Sequence, residues 1–237
     1  MAALTYRGLE IEVLRKPIKH LYLRVYPPAG RVCVSIPWQT SAPSLRHFLE
    51  QKWPWVEQQR ARIIQSPASP APQWVSGEQH PCLGQTYTLE VCEQMGQAHG
   101  VVIQGSTLIL RVPPPAGRDV RQQVMETWYR QVLKTQIPPL LAHWQLQLGV
   151  EVTAWGVKKM KTRWGSCNTV TRRIWLSLEL VHYPLPCIEQ VLVHELIHLL
   201  ERGHTPRFWA LMDRYLPGWR TSRAMLNGRP PLDSPMN

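Results

Sequence analysis

The stretch IEQVLVHELIHLLERGHTPRFW, residues 188–209, holds the side chains best suited to chemistry. On a helix, His194 and His198 stand one turn apart and point the same way. Two imidazoles at that spacing can hold one metal ion. Glu195, between them, can face a bound water without being a ligand. This is the H-E-x-x-H arrangement. From Val191 to Leu200 the only polar residues are His194, Glu195 and His198. Burying three such groups is expensive unless something satisfies them. An ion with its water would do so; ordinary hydrogen bonds inside a buried helix are the competing reading.

His204 follows directly after Gly203. Glycine is the preferred residue for leaving a helix in the left-handed conformation. The chain is therefore expected to turn back at Gly203 and bring His204 to the metal. Thr205 and Pro206 read as the N-cap and first position of the next helix. No Glu occurs after Glu201, so a Glu on a later helix is not available as third ligand, and Asp213 is the remaining competitor. The spacing matches the metzincin motif by position, with Glu201 in the place of its Gly. Three neutral imidazoles would leave a zinc ion a fourth position for water, whose pKa falls toward ~7. Glu195 would then act as general base.

Positive charge flanks this motif. Formal net charge is +11, which favours anionic partners such as nucleic acid, nucleotides or acidic protein surfaces over simple solubility once its location is considered. Residues 156–173 contain Lys158, Lys159, Lys161, Arg163, Arg172 and Arg173 and no acid, and residues 202–229 contain six Arg against Asp213. Lys161, Arg163, Tyr183 and His182 are the candidates for binding substrate or stabilising charge that develops on it. In WGSC (164–167), Gly165 implies a close backbone approach or a tight turn. Cys167 reads as a small buried hydrophobe rather than a zinc neighbour, and Trp164 as packing.

These groups need elements to hold them. Ile188, Leu192, Leu196 and Leu199 form a stripe opposite the histidines, so a buried helix over about 185–202 is expected, then another over 206–215. Strands are expected at 151–157 and 174–180, the second lining the cleft. A helix from about Arg118 should end at Pro138-Pro139, with a second stretch from Leu140 to Gly149. Further back, alternating runs at 86–91, 101–104 and 108–112 read as strands, with Gly105-Ser106 as a tight turn. A hairpin at 21–26 and 32–36, turning through Pro27-Pro28, precedes a helix over 44–65 that Pro54 should kink. SPASPAPQ (66–73) reads as a linker. No internal repeat is visible.

The fold class expected is α+β. A β-rich N-terminal region with one helix (1–115) precedes a zincin-like helical core with a small sheet (116–227) and a loose tail (228–237). With 237 residues, 44% of them apolar, a sizeable core is expected. Eleven Trp stand against two Phe, and many should lie at element edges or cleft walls, where the indole N–H finds a partner. Five unpaired-looking cysteines without a C-x-x-C pair suit a reduced, cytoplasmic compartment. The N-terminus lacks a signal-peptide pattern, and no run of ~18 apolar residues occurs.

Two stretches, MKTRWGSC (160–167) followed by a strand and VLVHELIHLLERGHTPRFW (191–209), resemble the YgjP-like metallopeptidase family, which is related to the SprT-like zincins. The N-terminal hairpin, the helix ending near KWPWVEQQR (52–60) and HPCLGQTYTLEV (80–91) extend the likeness over most of the chain. The resemblance implies zinc on His194, His198 and His204, with Glu195 catalytic. Members often carry an Asn on the strand before the metal helix; Ser177 stands at that place here, so no role is carried over to it.

Three functions compete. The zinc motif favours an intracellular metallopeptidase, with an extended peptide adding to the cleft-edge strand. The charge favours a zinc- or magnesium-dependent hydrolase of nucleoside triphosphates, its Arg and Lys clamping phosphate. A nucleic-acid-binding protein with structural zinc is the third. It sits poorly with three ligands, because structural sites normally have four and Glu195 would be idle.

Overall fold

A computed structural model describes residues 2–26, 29–65, 71–95 and 98–228. Two compact units divide the chain, one running to Ala71 and the other starting at Pro72. Pro27-Pro28, most of the expected linker and the tail beyond Gly228 lie outside the described residues.

In the first unit, strands Ala2–Tyr6 (β1), Leu9–Lys16 (β2), Tyr22–Tyr26 (β3) and Arg31–Pro37 (β4) make a sheet in the order β1-β2-β4-β3. The expected hairpin is the β3–β4 pair. Helix Ala42–Gln65 (α1) runs through Pro54. Val32, Val34 and Ile36 alternate along β4 and share a core with Leu45, Leu49, Trp53 and Val56 of α1. The first two strands were not read from the sequence. Their signal is present: Leu9, Ile11 and Val13 alternate with Glu10 and Glu12, and Arg7-Gly8 forms a two-residue turn with both φ positive.

The second unit opens with the same construction. Strands Gln79–Cys82 (β5), Gln85–Glu93 (β6), Gly100–Gln104 (β7) and Thr107–Val112 (β8) follow the order β5-β6-β8-β7. In both sheets the second and fourth strands are parallel and the outer pairs antiparallel. A repeat of topology thus exists where none is visible in sequence. What recurs is strand alternation and a positive-φ pair, Arg7-Gly8 and Leu83-Gly84, rather than residue identity.

Helix Arg118–Leu148 (α2) does not break at Pro138-Pro139 as expected. Each internal proline costs roughly 3 kcal/mol. Against this stand Met125, Tyr129, Leu133, Ile137, Leu141, Trp144 and Leu148, a continuous buried stripe on both sides of the prolines. Each such side chain contributes roughly 1.5–3 kcal/mol on burial, so the stripe wins. Gly149, at φ 63, closes the helix in the left-handed conformation.

A third sheet contains Ala154–Lys158 (β9), Gly165–Asn168 (β10) and Arg173–Ser177 (β11), in the order β10-β11-β9. The strand expected over 174–180 is therefore central and short, and β10 and β9 are the sheet edges. Residues Leu178–His182 form a 3-10 turn whose N-cap is Ser177, and Ser177 Oγ accepts from Glu179 N. Helices Leu185–Ile197 (α3), Pro206–Tyr215 (α4) and Trp219–Gly228 (α5) complete the described chain, α5 being unforeseen.

The architecture is α+β. The sheet over 79–112 shares its core with the helical region. Leu89, Leu108, Leu110 and Val112 pack in one cluster with the α2 stripe, Ile174 and Leu176 of β11, and Ile188, Leu192 and Leu196 of α3. Substituting Leu133, fully buried at the middle of α2, by Ala should cost about 2–5 kcal/mol in urea unfolding. A loss below about 1 kcal/mol would show that the stripe is not what holds this core.

Candidate metal centre

The helix α3 carries His194, Glu195 and the positions around them because nearly every other side chain there is apolar and buried, from Cys187 through Ile197. Trp144 Nε1 of α2 donates to Glu189 Oε1 at 2.9 Å and ties the two helices together. At the N-terminal end, the β5–β6 turn abuts Pro184: a Cβ on Gly84 would lie 2.9 Å from Pro184 Cβ, and Leu83 N donates to Val181 O at 2.7 Å.

The helix ends at Ile197, earlier than the sequence reading placed it. Leu199 N and Leu200 N bond to Leu196 O and Ile197 O, tightening the last turn to i→i+3 geometry. His198 is the C-cap residue. The chain has left the helix before Gly203, whose φ is not positive, so the expected left-handed exit at Gly203 does not occur. Thr205 is the N-cap of α4 as expected, its Oγ1 accepting from Phe208 N at 3.3 Å.

This path brings the three histidines together. Their ligand atoms all lie within 4.8 Å of one another, and His194 Nε2 and His204 Nε2 are 3.0 Å apart. Zinc–nitrogen bonds of 2.0–2.1 Å place two nitrogens of a tetrahedral site about 3.4 Å apart, so small ring rotations accommodate an ion. His198 Nδ1 faces Glu201 O at 3.2 Å. A carbonyl only accepts, so Nδ1 carries the proton and Nε2 keeps its lone pair for a metal. All three rings surround Phe208, each centroid 4.8 Å from its ring. Phe208 is fully buried and forms an apolar floor that sequence reasoning missed. Its position three residues after the Thr205 cap was the available signal.

Electrostatics suit neutral imidazoles. Burial, then His198, His204 and Arg223, hold the His194 pKa down to about 3. Burial also lowers His198 and His204. Glu195 is 6% exposed, and burial pushes its carboxyl up to about 8 against the opposing charge of Arg163. Among the described residues none donates a hydrogen bond to the Glu195 carboxylate. A buried carboxylate of that kind fits a centre completed by a cation and its water.

The other expected residues fall as follows. Gly165 makes the close approach: a Cβ there would meet Glu195 Oε1 at 2.7 Å and Val191 Cγ1 at 2.9 Å. Cys167 lies outside the histidine cluster, and burial followed by the Glu195 charge pushes its thiol up to about 11. Arg163 and Lys161 are exposed, and only Arg163 is felt by Glu195. Tyr183 stands edge-on to Trp164, ring centroids 5.0 Å apart, so both sit at the start of β10. His182 bonds Pro81 O through Nδ1 at 2.9 Å and packs edge-on to Tyr129, which is a structural placement. Asp213 is no ligand: its carboxylate takes Trp219 Nε1 at 2.8 Å and the Arg220 guanidinium.

The profile described as "YgjP-like, metallopeptidase domain" matches residues 19–229. No curated protein matches. Among solved structures, the crystal structure of the metallopeptidase zymogen of Pyrococcus abyssi abylysin is 20% identical, with 38% of this chain and 90% of that chain covered and a TM-score of 0.35.

The two opposed shifts predict how metal-free protein responds to pH. Between about 4.5 and 8 the folded state holds a proton on Glu195 that the unfolded state has released, so Glu195 contributes stability below pH 4.5 that is lost as pH rises through about 8. His194 acts in the other direction: its contribution is present above about 6.5 and lost as pH falls toward about 3. In chelator-treated protein, E195Q should therefore flatten the decline of the urea midpoint between pH 6 and 8. An unchanged slope would show that Glu195 is not the buried acid responsible.

Proposed function

The chain belongs to the YgjP-like metallopeptidase family, and from that premise we propose that it is a zinc-dependent peptidase acting inside the cell. The observation that carries this reading is the convergence of His194, His198 and His204 over Phe208, with buried Glu195 beside them. His194, His198 and His204 would hold a zinc ion that, when bound, would supply Lewis acidity and lower the pKa of a water toward ~7. Glu195 receives the proton from the attacking water and passes it to the leaving amine. Gly165 matters for this role, since a Cβ there would strike Glu195 Oε1 at 2.7 Å and displace the carboxylate.

Substrate binding follows from the sheet edge. β10 pairs only with β11 among the described residues, so its other side offers backbone donors and acceptors to an extended peptide. A peptide lying there would cross Glu195. Arg163, Lys161 and Tyr183 sit on or beside the segment leading into β10 and would contact the substrate or its developing negative charge. Five free cysteines suit a reducing compartment, and among the described residues no helix is long and apolar enough to cross a membrane.

Hydrolysis of a nucleoside triphosphate is the second reading. It is favoured by the acid-free run of cations over 156–173, in which, among the described residues, Lys159 is the one paired with an acid, Glu126. A structural zinc in a nucleic-acid-binding protein is supported less well, because the described residues gather three ligands and not four.

Isolated protein should carry close to one zinc per chain, lost in H194A or H198A. E195Q should retain zinc while losing about 10²–10⁴-fold in turnover. Metal analysis beside assays with unfolded protein and with nucleoside triphosphates tests both statements, and loss of zinc in E195Q would make Glu195 a ligand instead of a base. Replacing both Lys161 and Arg163 by Ala should leave zinc content unchanged. For an anionic substrate it should raise KM and remove the salt sensitivity expected of charge contacts screened within about 8–10 Å. Unchanged kinetics at low and high salt would leave the peptide reading and remove the phosphate one.

A further inference from the structure

The three candidate ligands are not held alike. His194 and His198 stand on or at the end of α3, and His198 is further fixed by Glu201 O. His204 lies in the connection between α3 and α4 and is exposed. Among the described residues its Nδ1 has no hydrogen-bond partner, and its Nε2 faces His194. A metal-binding imidazole is ordinarily oriented by a bond to its second nitrogen. Among the described residues only His198 has that bond; His194 is carried by its helix, whereas His204 lies in a connection and its ring must be oriented by other contacts.

A stack of rings does so. The His204 ring lies on Trp209, centroids 5.4 Å apart and planes 18° apart. Trp209 lies in turn on Trp219 of α5, at 5.1 Å and 18°. Trp219 cannot turn freely, because its Nε1 donates to Asp213 Oδ1 at 2.8 Å and the ring is 5% exposed. Asp213 is itself held by Nη1 and Nη2 of Arg220, whose guanidinium lies 4.6 Å over Trp219. Arg223 covers both indoles, 4.9 Å from Trp209 and 5.5 Å from Trp219. Phe208 meets His204 edge-on, ring centroids 4.8 Å apart.

We infer that Trp209, backed by Trp219, is the positioning residue for His204, setting the ring plane of the third metal ligand by stacking in place of a hydrogen bond. The inference rests on the metal-centre reading above. It makes α5 part of the apparatus for holding metal, although no residue of α5 is a candidate ligand.

The test measures zinc affinity of the full chain by competition with a chromophoric chelator, and the visible spectrum of the cobalt(II)-substituted protein. Wild type is compared with H204A, W209L, W209F and W219F. W209L should bind zinc about 10–100-fold more weakly and show altered cobalt bands, while metal-free W209L keeps a cooperative unfolding transition. W209F, which retains a ring for His204 to lie on, should recover most of the affinity. W219F, which keeps a ring but loses the bond to Asp213, should fall between wild type and W209L and serves if W209L does not fold. Wild-type zinc affinity in W209L would overturn the inference, as would equal losses in W209L and W209F. Should H204A itself bind zinc as tightly as wild type, His204 is no ligand and the metal-centre reading fails first.

Discussion

A carboxylate and two imidazoles lie in the last turn and at the C-cap of a helix that is apolar around them from Val191 to Ile197, and the cost of burying them governs what must surround them. Glu195 is the sharpest case. It is almost wholly inside, takes no hydrogen bond from the described residues and is held toward its neutral form by desolvation. An isolated charge in such a place is costly. A dication on the neighbouring imidazoles would reverse that balance, because it would favour the ionised carboxylate through the same low dielectric that penalises it alone.

Several features of the chain follow from this constraint. Gly165 exists where a methyl group would strike Glu195, so β10 lies directly over the carboxylate. Phe208 gives the three imidazoles an apolar base that offers no competing ligand. The α2 stripe and the second sheet fix α3 from behind, and their rigidity matters because ligand geometry tolerates little drift. The charges nearby divide by role. Arg220 is neutralised by Asp213, whereas Arg163 opposes the upward shift of Glu195 and Arg223 opposes protonation of His194 and His204.

Much of the site was legible in the sequence by itself. The i, i+4 spacing of His194 and His198 and the apolar frame around them dictate a shared helical face, for reasons of helix geometry alone. The Thr205-Pro206 cap and the need for Gly at 165 were equally readable, since each is a local steric or hydrogen-bonding requirement. Strand alternation gave most of the strands around the second sheet, and α+β as the class. Tertiary structure decided what local rules could not. Burial of seven side chains carried α2 through two prolines that local propensity would make a stop. Pairing made β10 an edge strand and β11 the centre, an order that depends on neighbours distant in sequence. The stack from His204 through Trp209 to Trp219 joins residues of a loop and two helices, and ring faces carry no periodic signature, so only the folded chain brings them into contact.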